Sequence, residues 1–241
     1  MFDLGLRAAA GRLGGLSARR VLDWVLRRIV DGEFRESARL RARPPAGLFQ
    51  PWGYTEPGRY PRLFAGIGEL LPAAPDLLSF GCASGDEIYT LDQRFAPRSI
   101  LGVDISARRI AICRRRVRRE PPRAQVRFEV AGSAETLSPA SFDAVFALAV
   151  FRHGDLRAAP PRCDHLVRFA DFERTVTGLA RCVRPGGLLV LRHAQFRFAD
   201  TAIAAEFDPV LSVRTTGTRC YGPDNCLMPE AEVETVAFRR R

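Results

Sequence analysis

The chain contains no lysine, so all 37 of its basic residues are arginine. Histidine is almost as scarce, at three, and tryptophan and methionine stand at two each. Without lysine there is no Gly-Lys-Ser/Thr phosphate loop, and the glycines never fall in the Gly-x-Gly-x-x-Gly spacing of dinucleotide sites. The six cysteines form no Cys-x-x-Cys pair and no Cys/His ligand spacing, so no metal centre is expected. Cys220 and Cys226 alone lie close enough in sequence to pair or share a metal, and neither is the expected outcome. No apolar run approaches the roughly 20 residues that span a bilayer. Arg7, Arg12, Arg19 and Arg20 interrupt any secretory core near the first residue. A cytoplasmic protein with reduced thiols is the expectation.

The net charge of +10 invites a nucleic-acid reading, but the arginines are spread along the whole sequence beside heavy use of Ala, Gly and Pro. That pattern marks compositional bias rather than a basic patch. The densest run, Arg114 to Arg119, falls at a helix end, where it complements the helix dipole. The 241 residues, 46% hydrophobic and 27% charged, suit one globular domain with an extension.

What is present is concentrated between Asp76 and Ser106. An apolar run, Leu77 to Phe80, breaks into a loop of small residues, Gly81-Cys82-Ala83-Ser84-Gly85, followed by Asp86-Glu87. Ile88, Leu91 and Phe95 then recur at helical spacing, and a second apolar run, Ile100 to Val103, ends on Asp104 and Ile105. Read by period, this is strand, tight turn, helix, strand, with an acid at the second strand's tip. Small residues let a ligand approach the backbone, a helix N-terminus offers free N–H groups, and a carboxylate there can hold two ribose hydroxyls.

The loop resembles motif I of the class I S-adenosylmethionine (SAM)-dependent methyltransferases, and Gly102-Val103-Asp104 resembles their motif II. Two positions depart from the common pattern: Ser79 stands where an acid is usual, and Ala83 where a glycine is. The run from Ser79 to Glu87 is similar to the chemotaxis-receptor methyltransferase variant, and on that resemblance Asp86 takes over holding the methionine ammonium. Later segments follow the same family order. Gln125 to Val130 alternates as a third strand and leads to Ser133 and Ala134, where the family contacts adenine. Ser141-Phe142-Asp143 opens a buried strand through Ala147 and Leu148. A helix from about Leu166 to Val183 runs into Arg184-Pro185-Gly186-Gly187 and an apolar strand, Leu188 to Leu191. The resemblance covers residues 75–193. It implies an α/β fold with a doubly wound, mostly parallel, seven-stranded Rossmann-like sheet, SAM as cofactor, and binding residues at Ser79–Asp86, Asp104, Ile105, Ser133, Ala134, Ala147 and Leu148.

The flanks are read from pattern. Residues 1–45 form a helical N-terminal extension, with Leu13, Leu16, Val21, Trp24, Val25 and Ile29 on one apolar face. The extension is a cap, a substrate lid or a membrane-surface helix, with packing the default. Arg43-Pro44-Pro45-Ala46-Gly47 is a linker into a methyltransferase domain at 46–241. Tyr54, Thr55, Arg59 and Tyr60, just before motif I, are acceptor-site candidates or an aromatic edge loop. The remainder is expected to give a helix over Thr201 to Phe207 and two closing strands near Leu211–Thr216 and Val233–Arg239. Tyr221 to Asn225 would form the turn between those strands.

Ligands of open α/β sheets bind beyond the carboxyl ends of the strands. There stand His153, the first candidate general base, and His193, the second; His165 precedes a helix and reads as capping or surface. Arg152, Gln195 and Arg197 are candidates to orient an acidic or sugar-like acceptor. The family reading is methyl transfer to an oxygen, or else a nitrogen, of a small molecule or glycan precursor. A protein carboxyl methyltransferase and a non-catalytic SAM-binding scaffold are the alternatives. No Asn-Pro-Pro-Tyr and no Pro-Cys follows the fourth strand, against adenine-amine and cytosine C5 chemistry respectively.

Overall fold

A computed structural model describes residues 31–241 apart from Thr216. The apolar stripe from Leu13 to Ile29 lies outside the described residues. The first described helix, α1 (Gly32–Ala42), is capped by Asp31, whose carboxylate accepts from the backbone N–H groups of Glu33 and Phe34. α2 (Pro61–Gly68) follows, and then the sheet begins: β1 (Asp76–Phe80), α3 (Asp86–Phe95), β2 (Ser99–Asp104), α4 (Ala107–Arg119), β3 (Gln125–Val130) and β4 (Phe142–Leu148). The second half is α5 (Phe169–Cys182), β5 (Val183–Arg192), β6 (Phe207–Arg214) and β7 (Val233–Arg240).

The seven strands lie in the order β3-β2-β1-β4-β5-β7-β6. β1 to β5 are mutually parallel, while β7 runs antiparallel to both of its neighbours. Strands buried on both faces carry unbroken apolar runs, and alternate residues enter opposite cores. Leu78, Phe80, Val145 and Ala147 pack against Phe172, Val176 and Leu179 of α5. Leu77, Ala144 and Phe146 pack on the other face against Phe64 and Ile67 of α2, Ile88 and Leu91 of α3 and Ile110 of α4. The strand order reverses between β1 and β4, which opens the crevice where a doubly wound sheet takes its ligand.

Two expectations are corrected. The Pro-Gly-Gly segment is not a turn ahead of the strand: α5 stops at Cys182, and Arg184–Gly187 lies inside β5 as an irregularity opposite Phe142 and Ala144. Gly186 takes φ +79° there, a conformation open to glycine at little cost. The expected helix at Thr201–Phe207 is two short 3-10 turns, Phe198–Asp200 and Ala202–Glu206, because extended Thr201 divides them and Phe207 already belongs to β6. The Tyr221–Asn225 segment is more than a hairpin turn. Tyr221 is fully buried with its hydroxyl donating to Pro160 O, and Asn225 Oδ1 accepts from Phe169 N at the start of α5.

Candidate functional site

The loop after β1 is shaped by three left-handed residues: Gly81 (φ +77°), Ala83 (φ +48°) and Gly85 (φ +96°). At Gly81 a Cβ would sit 2.4 Å from Val150 Cγ2, so only glycine lets the loop pass under the β4 loop. Ala83 holds a conformation that costs an L-residue about 1 kcal/mol. Its N–H donates to Asp104 Oδ2 at 3.0 Å, while Asp104 Oδ1 accepts from Ser106 N at 2.8 Å. Asp104 therefore stands at the tip of β2 with a fixed carboxylate. Burial pushes its pKa up, and Arg109, the Ser106 N–H and the Ala83 N–H oppose that shift.

The crevice beside Gly81 and Asp104 is roofed by residues 47–55, leaving a cavity of about 60 Å³, room for about four waters. Phe80, Gly81, Cys82, Ala83, Asp104 and Ile105 line it as expected, together with Leu148, Tyr54, Thr55 and Arg59. Other expected residues fall elsewhere. Ser133 and Ala134 are not in the lining; Ala131 and Gly132 are, and Ala134 packs into the core. Ala147 is wholly buried between strands and α5. Ser84 stands off the cavity, and Gly85 serves as the N-cap of α3.

The acid differs from expectation too. Asp86 faces away and pairs with Arg116 of α4 at 2.5 Å. Glu87, one residue on, is 8% exposed, lines the cavity, and accepts a 2.7 Å hydrogen bond from Ser79 Oγ. Burial pushes its pKa up to about 7, against opposing effects of Ser79 and the Arg59 charge. A carboxylate from the first turn of the next helix thus reaches Ser79. The signal was in the sequence: Glu87 is four residues before Leu91 and shares its buried face, whereas Asp86 does not.

α1 is fastened over the same site. Glu33 meets Arg109 Nη2 at 2.5 Å and accepts from Gly53 N at 3.0 Å, and Ser106 Oγ donates to Glu36. Arg109 is 2% exposed and also donates to Pro51 O. This arginine therefore joins α1, the roof and the cofactor crevice.

Past β4 and β5 lies a second cavity of about 240 Å³, bordered by Arg152, His153, Arg157, His193, Gln195 and Arg219. Gln195 is buried and its Oε1 accepts from His153 N at 2.7 Å, tying the two post-strand loops together. His153 Nδ1 accepts from Asp155 N at 3.3 Å, so its acceptor nitrogen caps a 3-10 turn. His193, at φ +54°, lies 2.8 Å through Nδ1 from Thr218 Oγ1 and packs its ring on Tyr60. Burial and the nearby Arg192, Arg152 and Arg59 charges press its pKa down to about 4; burial lowers that of His153 as well. Both rings are neutral near pH 7 and are weak bases. His165 is exposed. Arg197 is paired with Asp200 and lines a different cavity. Arg152 is the outlier: it is partly buried, its Nε is buried without a hydrogen-bond partner, and it forms no ion pair among the described residues. Burial, Arg157 and Arg59 lower its pKa. Arg157 and Arg219 had no signature beyond being arginines in an arginine-rich chain.

Among the described residues no cluster of His, Cys, Asp or Glu has the arrangement of a metal site, all six cysteines are free thiols, and no helix is long and apolar enough to cross a membrane.

Residues 78–191 match the family profile described as a methyltransferase domain. The trans-aconitate 2-methyltransferase of Deinococcus radiodurans is 29% identical over 175 residues, 69% of this chain, and the alignment spans 59% of the relative's length. Among solved structures, phosphoethanolamine N-methyltransferase 2 of Haemonchus contortus, in complex with phosphomonomethylethanolamine and S-adenosylhomocysteine, aligns with TM-score 0.43 at 21% identity, covering 58% of this chain and 29% of that one. The YcgJ protein of Bacillus subtilis aligns with TM-score 0.43 at 14% identity over 61% of this chain and 57% of that one. Residues 78–191 are thus a methyltransferase domain, similar to the class I SAM-dependent methyltransferases, whose cofactor is SAM.

Proposed function

We propose that the protein transfers a methyl group to a carboxylate oxygen of a small anionic acid. The observation that carries this is Arg152: an unpaired, partly buried cation beside the cofactor crevice is stable only if an anion completes it. Arg157 on the same cavity wall adds to that field. The related Deinococcus protein, by its name, acts on trans-aconitate, itself a carboxylate.

The residues of the crevice fit the cofactor. Asp104 would hold the ribose hydroxyls, the close-approach glycine Gly81 would let the backbone reach the amino-acid part, and Ala131 with Gly132 would border the adenine. Glu87, rather than Asp86, would take the methionine ammonium. Residues 47–55 would cover the cofactor from above.

SAM supplies a methyl group on a sulfonium, which is electrophilic without further activation. The chain has to align an oxygen with that methyl and keep water out. Arg152 would fix one carboxylate by charge-assisted hydrogen bonds, and neutral His193 with Thr218 would complete the cavity wall. A carboxylate is already ionised near pH 7, so no proton must be removed. That agrees with a His193 whose pKa is pressed down to about 4.

The test is calorimetric titration of trans-aconitate and citrate into the S-adenosylhomocysteine-loaded protein. Binding of either acid that is lost in Arg152→Met supports the reading. Binding that the substitution leaves unchanged, or none in the wild type, overturns it.

A further inference from the structure

A third cavity, of about 280 Å³, continues from the basic one along the carboxyl edge of the sheet. The two share Gly217, Thr218 and Arg219, so one molecule can occupy both. Their chemistry differs. In the third cavity every arginine of the lining already has an acid: Arg197 is paired with Asp200 and Arg219 with Glu230. Its acids are held likewise, since Glu234 pairs with Arg192. Apart from Thr215, Thr218, Thr235 and Cys220, the remaining wall is apolar, with Leu191, Phe196, Phe198, Met228 and Phe238 meeting there. Phe198 is locked edge-on against Phe207 and packs on Phe238, so the floor is rigid. Val233 at the rim is 54% exposed, an apolar side chain left facing solvent at the mouth.

We infer that the acceptor is amphipathic: its carboxylate sits at Arg152 in the basic cavity, and an aliphatic or aromatic body extends past Gly217 and Thr218 into the apolar one. This rests on the carboxylate reading proposed above and adds the substrate class to it. The arrangement has a physical logic. Charges paired within the wall no longer attract an ionic ligand, so the third cavity selects for apolar surface. The unpaired Arg152 selects for one anion and sets which end of the molecule faces the methyl donor. A compact polycarboxylate would fill only the basic half.

The test uses the full chain loaded with S-adenosylhomocysteine, titrated with butanoate, hexanoate, octanoate and octanol. Burying methylenes predicts affinity rising about 4-fold for each added CH₂ until the cavity is full. Two substitutions at the apolar end, Met228→Glu and the exposed-site Ala231→Trp, should remove the gain for octanoate while leaving butanoate binding as it was. Ala231 is exposed, so its replacement separates cavity filling from misfolding. Equal affinity for butanoate and octanoate would overturn the amphipathic inference and leave the carboxylate reading standing. Octanol binding as tightly as octanoate would keep the apolar cavity and sink the carboxylate anchor. No binding by any of the four, with S-adenosylhomocysteine bound, would overturn both.

Discussion

Glu87→Gln separates two roles that one buried carboxylate can play, and the effects have opposite signs. The glutamine is isosteric and its Oε1 still accepts from Ser79 Oγ, so the local packing is kept. Losing a charge-assisted hydrogen bond to the cofactor's ammonium costs about 1.5–3 kcal/mol, or roughly 10- to 150-fold in Kd. In the wild type the free site titrates at about 7. Between roughly pH 8 and pH 6 its ionised fraction falls from about nine-tenths to about one-tenth, so cofactor affinity drops about 10-fold across that window. The variant should lose that dependence. Stability moves the other way. The folded protein holds the Glu87 proton from 4.5, where the unfolded chain releases it, up to about 7. The unfolded state therefore binds fewer protons in that interval, and the cofactor-free protein loses about 3 kcal/mol as pH rises through it. The variant escapes this loss and, near pH 8, should melt higher than the wild type while binding the cofactor more weakly. Calorimetric titration with S-adenosylhomocysteine and thermal melts, each at both pH values, read the two effects. A variant that binds within about twofold of wild type near pH 8 would refute the assignment of Glu87.

Arg152→Met removes a buried nitrogen that has no partner; relief of an unsatisfied group is worth about 1–3 kcal/mol, so the variant should melt higher while keeping its affinity for S-adenosylhomocysteine. Ala83→Gly relieves the left-handed backbone at φ +48°, and should stabilise by about 1 kcal/mol, raising Tm by about 2–4 °C in differential scanning calorimetry. His153→Ala deletes the Nδ1 cap on Asp155 and should cost about 1 kcal/mol of stability. Its kcat should fall less than about 10-fold, whereas a general base would cost 10²–10⁴-fold on the order of magnitude; single-turnover kinetics across pH decide between them.

The sheet was legible because its strands carry their own evidence. Apart from Ser79, Leu77–Phe80, Ile100–Val103 and Leu188–Leu191 carry no polar side chain, and only a strand buried on both faces needs that. Asp104 was legible for a similar reason, being an acid that ends such a run. Side-chain direction at a helix start was harder. Asp86 and Glu87 are adjacent acids, and the resemblance to the chemotaxis variant pointed to the first; the helical period, counted back from Leu91, points to the second. The Pro-Gly-Gly segment misled because glycine reverses a chain in one context and makes an irregular strand in another, and the β4 pairing decides which. Arg152 could be named from its place after β4. Its want of an acidic partner among the described residues, which gives it meaning, depends on residues distant in sequence and has no trace in local pattern. Gln195 shows the same limit: it reads as an acceptor ligand, yet its amide oxygen is spent on His153 N.

The most direct measurement is product analysis with SAM labelled in its methyl group. The purified protein is incubated with trans-aconitate, citrate and octanoate, and the label recovered in the acceptor is treated with mild base. The expected result is S-adenosylhomocysteine formed in step with label that base releases as methanol, the signature of a methyl ester. Label that survives base would place the methyl on nitrogen, carbon or an ether oxygen and would contradict carboxylate methylation.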